Sequence, residues 1–164
     1  MDLPATLLHL QARRLLTKFD SQELVDWAVA ALVAGHDTEH LVMLAGMDRY
    51  PSPELWDYFY RSLGELGLSF PPADGEALLA YAVYLAKAVT TGRAHWRTGL
   101  LEMGKICAIS EYDPRYTDFF ALQDHLQSLE AGYDNYLVPE LTIENAPEMV
   151  REAFAQFLAG HALG

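Results

Sequence analysis

The sequence has little of what several protein classes require. Its 164 residues include a single cysteine, Cys107, and only 11 lysines and arginines against 23 acidic residues. One cysteine excludes an intramolecular disulfide framework. The net charge of −12 argues against a nucleic-acid-binding protein, because neutralising phosphates requires a basic surface.

Long apolar runs are also missing. The longest covers residues 77–89 and is interrupted by Lys87, so it falls well short of the roughly 20 residues that span a bilayer. The N-terminus carries Asp2 where a secretory signal has basic residues. The sequence therefore predicts a cytoplasmic protein that has no membrane-spanning segment.

Strand signals are scarce, whereas helix signals recur along the chain. No alternation of β-branched residues is sustained, and apolar residues instead repeat at helical spacing. An apolar content of 51 % excludes intrinsic disorder, and a chain of this length favours one domain. We predict an all-α fold: a single compact domain over residues 1–164 with about eight helices.

Two of the expected helices are apolar on most sides. Asp26 is the only polar residue in 24–33, and Lys87 is the only one in 78–89. A helix that is hydrophobic all round is normally buried. The second and fifth helices are therefore predicted to be the two central helices.

Local signals predict where some helices begin and where they pack closely. Residues 52–54 read Ser-Pro-Glu, which combines a capping hydroxyl, a proline in the first turn and an acid near the positive helix end. Asp37 is predicted to cap the third helix. Gly99 and Gly104 interrupt the sixth helix and indicate where another helix packs close to it.

One segment matches a known catalytic pattern. His36, Glu39 and His40 fit the H-x-x-E-H spacing of inverted zinc peptidases, which needs both imidazoles on one face of a continuous helix. Because Gly35 and the predicted cap at Asp37 place His36 before the helix, we interpret the segment as polar residues at a helix start. A small metal-dependent enzyme using this segment is the alternative.

No other residue pattern indicates catalysis. Cys107 lies on an apolar stripe, which favours a buried structural thiol. Phosphate loops, dinucleotide fingerprints and the nucleophile-elbow motif do not occur. We therefore assign no catalytic, cofactor-binding or metal-ligating residue, and no cofactor.

The acidic residues are concentrated towards the C-terminus. Residues 106–164 contain 10 acidic and 2 basic residues, a net charge of −8, whereas residues 1–105 carry −4. Such a surface aids solubility, or it recruits a basic protein partner. For the second interpretation, six residues on the seventh helix and in the irregular segment 132–141 are the predicted partner-binding surface: Asp118, Asp124, Tyr133, Asp134, Tyr136 and Glu140.

Two stretches carry a resemblance to a known group of proteins. The first comprises residues 23–28, 35–41 and 44–46, and the second runs from 103–107 to 112–119, with Tyr133 and Tyr136 after it. Both resemble small uncharacterised all-helical bacterial proteins, some of which are similar to immunity proteins of bacterial toxin systems. The resemblance implies an all-α fold without catalytic residues.

The expected function is therefore a non-enzymatic protein-binding module, with an immunity-type inhibitor as the role that the resemblance suggests. A purely structural homo-oligomer is a further alternative to the metal-dependent enzyme.

Overall fold

The computed structural model describes residues 1–17, 19–48 and 52–161. Within these ranges the chain forms eight α-helices and no strand, which confirms the predicted all-α class. In the same ranges no helix is both long and apolar enough to span a membrane. The helices are α1 Leu3–Leu16, α2 Gln22–Val33, α3 Glu39–Ala45, α4 Pro53–Glu65, α5 Asp74–Thr90, α6 Trp96–Ile109, α7 Thr117–Glu130 and α8 Ala146–His161.

The residues group into two compact units, Met1–Ala77 and Leu78–Gly164, which we call unit 1 and unit 2. The boundary between them falls inside α5. Each unit buries apolar side chains of its own helices. That residues 1–164 form a single domain stays a prediction.

Unit 1 is packed around aromatic rings. Phe59 on α4 is fully buried, and its ring meets Trp27 and Phe70 edge-to-face at centroid distances of 5.3 Å. Trp56 makes a similar contact with Phe59 at 5.7 Å. The guanidinium of Arg14 lies 4.9 Å from the centroid of Trp56, so a cation covers the edge of this cluster.

Unit 2 is packed around two glycines of α6. A Cβ atom on Gly99 would lie 2.4 Å from Val89 Cγ2 and 3.2 Å from the Phe154 ring. One on Gly104 would lie 1.7 Å from Gln123 Oε1. The prediction of close packing at both glycines is confirmed. Both glycines lie inside α6, which runs without a break.

The two helices predicted to be central differ in burial. On α5, seven apolar residues of the described core are almost inaccessible: Ala77, Leu78, Ala82, Leu85, Ala86, Ala88 and Val89. On α2, however, Val29 and Val33 are 44 % and 84 % exposed. The expectation that α2 is buried on most sides was wrong, because its buried residues all lie on one side of the helix: Leu24, Val25, Trp27, Ala28 and Ala31.

The helix starts agree with the local sequence signals, except that the cap of α3 lies one residue later than predicted. The Ser52 hydroxyl accepts a hydrogen bond from the Glu54 N–H at 3.2 Å, which confirms the predicted start of α4. The predicted cap at Asp37 is wrong by one residue, since extended Thr38 holds the cap position and its carbonyl accepts the N–H of Val42. His36 lies outside α3, as expected.

Candidate partner-binding surface

The basic and the acidic residues of unit 2 are concentrated in different parts of its sequence. Residues 78–105 contain one acidic and four basic residues, a net charge of +3, whereas residues 106–164 carry −8. The four basic residues are Lys87, Arg93, Arg97 and Lys105. An Arg97–Glu130 ion pair joins the basic stretch to α7. Eight of the ten acidic residues of 106–164 lie on α7, on α8 or in the segment between them.

The end of α7 is fixed by a glycine. Gly132 has a φ of +85°, and its N–H donates to the Leu129 carbonyl at 3.0 Å. The Tyr133 N–H reaches back to the Ser128 carbonyl at 2.9 Å, which completes a Schellman motif. The chain then leaves the helix as residues 133–141, which we call the tyrosine loop and which fall in the segment predicted to be irregular.

Buried His125 on α7 anchors the tyrosine loop. Its Nδ1 accepts the Val138 N–H at 3.0 Å, so Nε2 carries the proton and donates to Asp134 Oδ1 at 2.7 Å. The same carboxylate oxygen accepts the Tyr136 N–H at 2.9 Å. Because both ring nitrogens are engaged, His125 has no lone pair available to act as a general base or a metal ligand.

A second anchor lies one residue earlier on α7. The Asn135 amide donates to Asp124 Oδ2 at 2.9 Å and to the Ser128 hydroxyl at 3.1 Å. The Asn135 side-chain carbonyl accepts the Leu137 N–H at 3.2 Å. Asp124 and Asp134 thus hold the loop through hydrogen bonds, and both carboxylates also contribute charge to the surface.

The two anchors fix the positions of two tyrosines. Tyr133 and Tyr136 are each 74 % exposed, far more than aromatic side chains inside a core. Tyr136 has a φ of +58°, a left-handed conformation that is uncommon for a residue other than glycine. The hydrogen bonds of its neighbours hold it there, so its ring projects from a loop of defined shape.

A groove of about 330 Å³ lies between α7, α8 and the tyrosine loop. Its apolar lining comes from Ala121, Leu122, Leu137, Val138, Met149 and Ala153, and its polar lining from Asp118, Glu152 and Gln156. The residues of α8 follow the i, i+3, i+4, i+7 spacing of a single helix face. Within the described ranges neither Asp118 nor Glu152 forms an ion pair with a cation.

A smaller hollow of about 220 Å³ adjoins this groove and shares Asp118, Ala153 and Gln156 with it. Arg115 lines the hollow, but its guanidinium is engaged by Asp113 at 2.7 Å. That hydrogen bond holds the pKa of Asp113 at about 2. The Arg115 charge is therefore locally balanced, whereas that of Asp118 is not.

The structure exposes all six residues of the predicted surface but gives them different positions. Asp118 lines the groove, Asp124 and Asp134 anchor the loop, and Tyr133 and Tyr136 project from it. Exposed Glu140 lies at the end of the loop, where its backbone carbonyl accepts the Asn145 amide at 2.8 Å. That these residues bind a partner stays a prediction.

Sequence reasoning missed the groove itself. Its lining residues Leu137, Met149 and Glu152 were not singled out, although two of them follow a helical spacing that is visible in the sequence. The spacing of Met149, Glu152 and Gln156 beside the buried stripe of α8 could have indicated a second, partly apolar face. The contribution of the loop through Leu137 depends on the His125 anchor, which no sequence signal indicated.

The zinc-like segment belongs to unit 1 and is not arranged as a metal centre. His40 Nδ1 lies 2.5 Å from Glu65 Oε1, and this hydrogen bond lowers the pKa of Glu65. Across the ranges 1–17, 19–48 and 52–161, no group of three or more histidine, cysteine, aspartate or glutamate side chains could hold a metal ion. Cys107 is buried in unit 2, and this burial raises the pKa of its thiol.

Comparisons with protein-family models, with curated proteins and with solved structures find no match to this chain.

Proposed function

We propose that the chain is a non-enzymatic, cytoplasmic protein-binding module that binds a basic protein partner through the acidic half of unit 2. An immunity-type inhibitor, as the sequence resemblance suggests, is the role we propose for such a module. The observation that carries the proposal is the juxtaposition of an apolar groove, two carboxylates that form no ion pair among the described residues, and two exposed tyrosines on one anchored loop.

Each part of this surface suits protein recognition. Tyrosines are enriched at interfaces, where a rigid ring loses little conformational entropy on binding. A loop held by internal hydrogen bonds is already ordered, so binding does not have to order it. Carboxylates around the anchors attract a cationic partner and speed its approach.

The function is tested by capturing partners from a cell lysate with three forms of the chain. The wild type is compared with Asp118→Lys/Glu140→Lys, which reverses two exposed charges without touching the His125 anchor. The matched control is Asp48→Lys/Glu76→Lys, the same charge change at exposed positions of unit 1. Asp134→Lys is unsuitable because it would also break the bond to His125.

We expect wild type and control to retain a basic protein that the Asp118→Lys/Glu140→Lys variant loses. The association rate should fall several-fold as salt rises, because the screening length shortens from ~10 Å at 0.1 M to ~3 Å at 1 M. A partner whose association ignores both salt and the charge reversals would contradict the proposal. Concentration-dependent assembly of the chain alone in light scattering, with no partner retained, would favour the homo-oligomer.

A further inference from the structure

We infer that the groove between α7, α8 and the tyrosine loop binds one apolar side chain of the partner with a lysine or arginine on either side of it. This inference rests on the proposed function and specifies which segment of a basic partner would dock. The occupant is a protein segment that is basic and locally apolar, not a small metabolite.

The apolar lining of the groove requires the partner to supply an apolar side chain. Leu122 is buried in the floor, whereas Leu137 is 54 % exposed and forms the loop side of the groove. Met149 lies on the α8 side, and its flexible thioether can adapt to apolar side chains of different shape. The volume of about 330 Å³ lies at the small end of the range for ligand sites, so the groove suits one or two side chains rather than a whole helix face.

The two carboxylates of the groove require the partner to supply cationic side chains on either side of that apolar residue. Asp118 on α7 and Glu152 on α8 both line the groove, and neither has a cationic partner within the described residues. Arg115, which lines the adjoining hollow, is engaged by Asp113. Glu152 Oε1 accepts a hydrogen bond from the Gln156 amide at 3.4 Å, but no cation among the described residues neutralises either carboxylate. Two such charges beside an apolar depression complement an apolar side chain that is flanked by cations.

The test uses the full-length chain labelled for NMR and a short synthetic peptide with the central sequence Lys-Leu-Lys between glycine and serine residues. We expect saturable shifts in the methyl signals of Leu137 and Met149 and in the Ala153 amide. The gain from one buried side chain and two exposed ion pairs must also offset the entropy cost of association, so we expect weak binding with a dissociation constant of about 1–10 mM. Peptides with Lys-Ser-Lys or Glu-Leu-Glu centres should bind at least about fivefold more weakly.

Two pairs of variants separate the two requirements. Leu137→Ser should weaken binding of the Lys-Leu-Lys peptide by about fivefold, whereas Ile143→Ser, at a similarly exposed position of unit 2, should not. Asp118→Asn/Glu152→Gln should weaken it by about three- to tenfold, and Asp48→Asn/Glu76→Gln should leave it unchanged. Circular dichroism checks that each variant keeps its helix content.

The outcomes distinguish this inference from the proposed function. Shifts confined to Tyr133 and Tyr136, or equal binding of the three peptides, would overturn the groove as the docking site and leave the binding function standing. Absence of any shift at several millimolar Lys-Leu-Lys peptide would also overturn it. The proposed function fails separately, if the charge reversals leave capture of the natural partner unchanged.

Discussion

The two units of this chain differ in how close packing is achieved in their interiors. In unit 1 the ring of Phe59 lies among Trp27, Trp56 and Phe70, so large side chains occupy the space between the helices. In unit 2, Gly99 and Gly104 have no side chain to occupy that space, and neighbouring side chains come to the α6 backbone. Both cores contain aromatic rings, since the ring centroids of Phe119 and Phe154 in unit 2 lie 4.8 Å apart, but among the described glycines only those of α6 lie against close-packed side chains.

The units differ in surface as well as in packing. Unit 1 has 12 acidic and 5 basic residues, a net charge of −7, and unit 2 has 11 and 6, a net charge of −5. The total charge therefore does not distinguish them. Nor does the distribution along the chain, because residues 1–18 of unit 1 carry +2 and residues 19–77 carry −9, a separation as marked as that in unit 2. What favours unit 2 as the proposed binding surface is therefore the groove and the anchored tyrosine loop, not the charge.

The largest expected effect comes from removing the central ring of unit 1. Phe59→Ala should lower the free energy of unfolding by about 3–5 kcal/mol, because it leaves a cavity among rings that cannot close it fully. Denaturant titration measures the change. Tyr60→Ala, at a half-exposed neighbouring position, should cost about 1 kcal/mol or less. Similar losses for both variants would show that the ring cluster is not the centre of unit 1.

A single type of substitution should act with opposite sign in the two units. Gly99→Ala in unit 2 should destabilise by about 1–3 kcal/mol, since the new Cβ meets Val89 and Phe154. Gly64→Ala on α4 of unit 1 meets no atom within 4 Å and should stabilise by up to about 1 kcal/mol. Thermal and denaturant unfolding give both values. Equal signs would contradict the distinction between the two modes of packing.

A smaller and more local effect is expected at the loop anchor of unit 2. His125→Phe keeps a ring in place but removes the partners of the Val138 N–H and of Asp134, which should lower the local opening free energy by about 1–3 kcal/mol. Hydrogen exchange of the Tyr136 and Val138 amides should accelerate accordingly. Asp134→Asn still offers an oxygen to Nε2 and should accelerate exchange less. Unchanged exchange in both variants would mean that the loop is held by other contacts.

The smallest expected effect concerns a buried hydroxyl in unit 2. The Tyr116 hydroxyl has no hydrogen-bond partner among the described residues, and burial raises its pKa. The unfolded chain therefore ionises first, so this contribution to stability is present below pH ~10 and is lost as pH rises further. Tyr116→Phe should be neutral or stabilising by up to about 1 kcal/mol and should lose less stability than wild type at high pH.

Denaturant titrations of wild type and Tyr116→Phe at neutral and alkaline pH measure this difference. Cys107 ionises in both proteins, so its contribution cancels. Tyr60→Phe in unit 1 provides the control for removing an exposed hydroxyl. Parallel pH profiles of wild type and Tyr116→Phe would count against an alkaline role for Tyr116.

Local chemistry made much of the fold predictable. The Ser-Pro-Glu sequence at 52–54 fixes the start of α4, and the glycines of α6 indicated a close crossing, because these residues act through the backbone around them. The exposed face of α2 could not be predicted in this way. Val29 and Val33 are as apolar as their buried neighbours, and nothing in the residues themselves indicates which side of α2 packs against the rest of unit 1.

The exposed residues of the candidate surface could be predicted from the sequence, but the hydrogen bonds that shape this surface could not. Asp118 and Asp124 could be placed in water because they fall off the apolar stripe of α7. The contacts of His125 with Asp134 and Val138 span the turn at Gly132 and depend on how the loop folds back onto the helix. These contacts form only when the loop packs back against α7 in the folded chain. The groove that Leu137 completes therefore could not be predicted from the spacing of apolar residues in the sequence.

The buried thiol of Cys107 can be used to measure how often unit 2 opens. The thiol is the only one in the sequence and lies fully buried on α6 of unit 2, whereas unit 1 has none. A thiol reagent can reach it only when unit 2 opens, because the thiolate that reacts needs both solvent and ionisation. The rate of labelling in the native protein therefore measures how often unit 2 opens, and unit 1 contributes nothing to that signal.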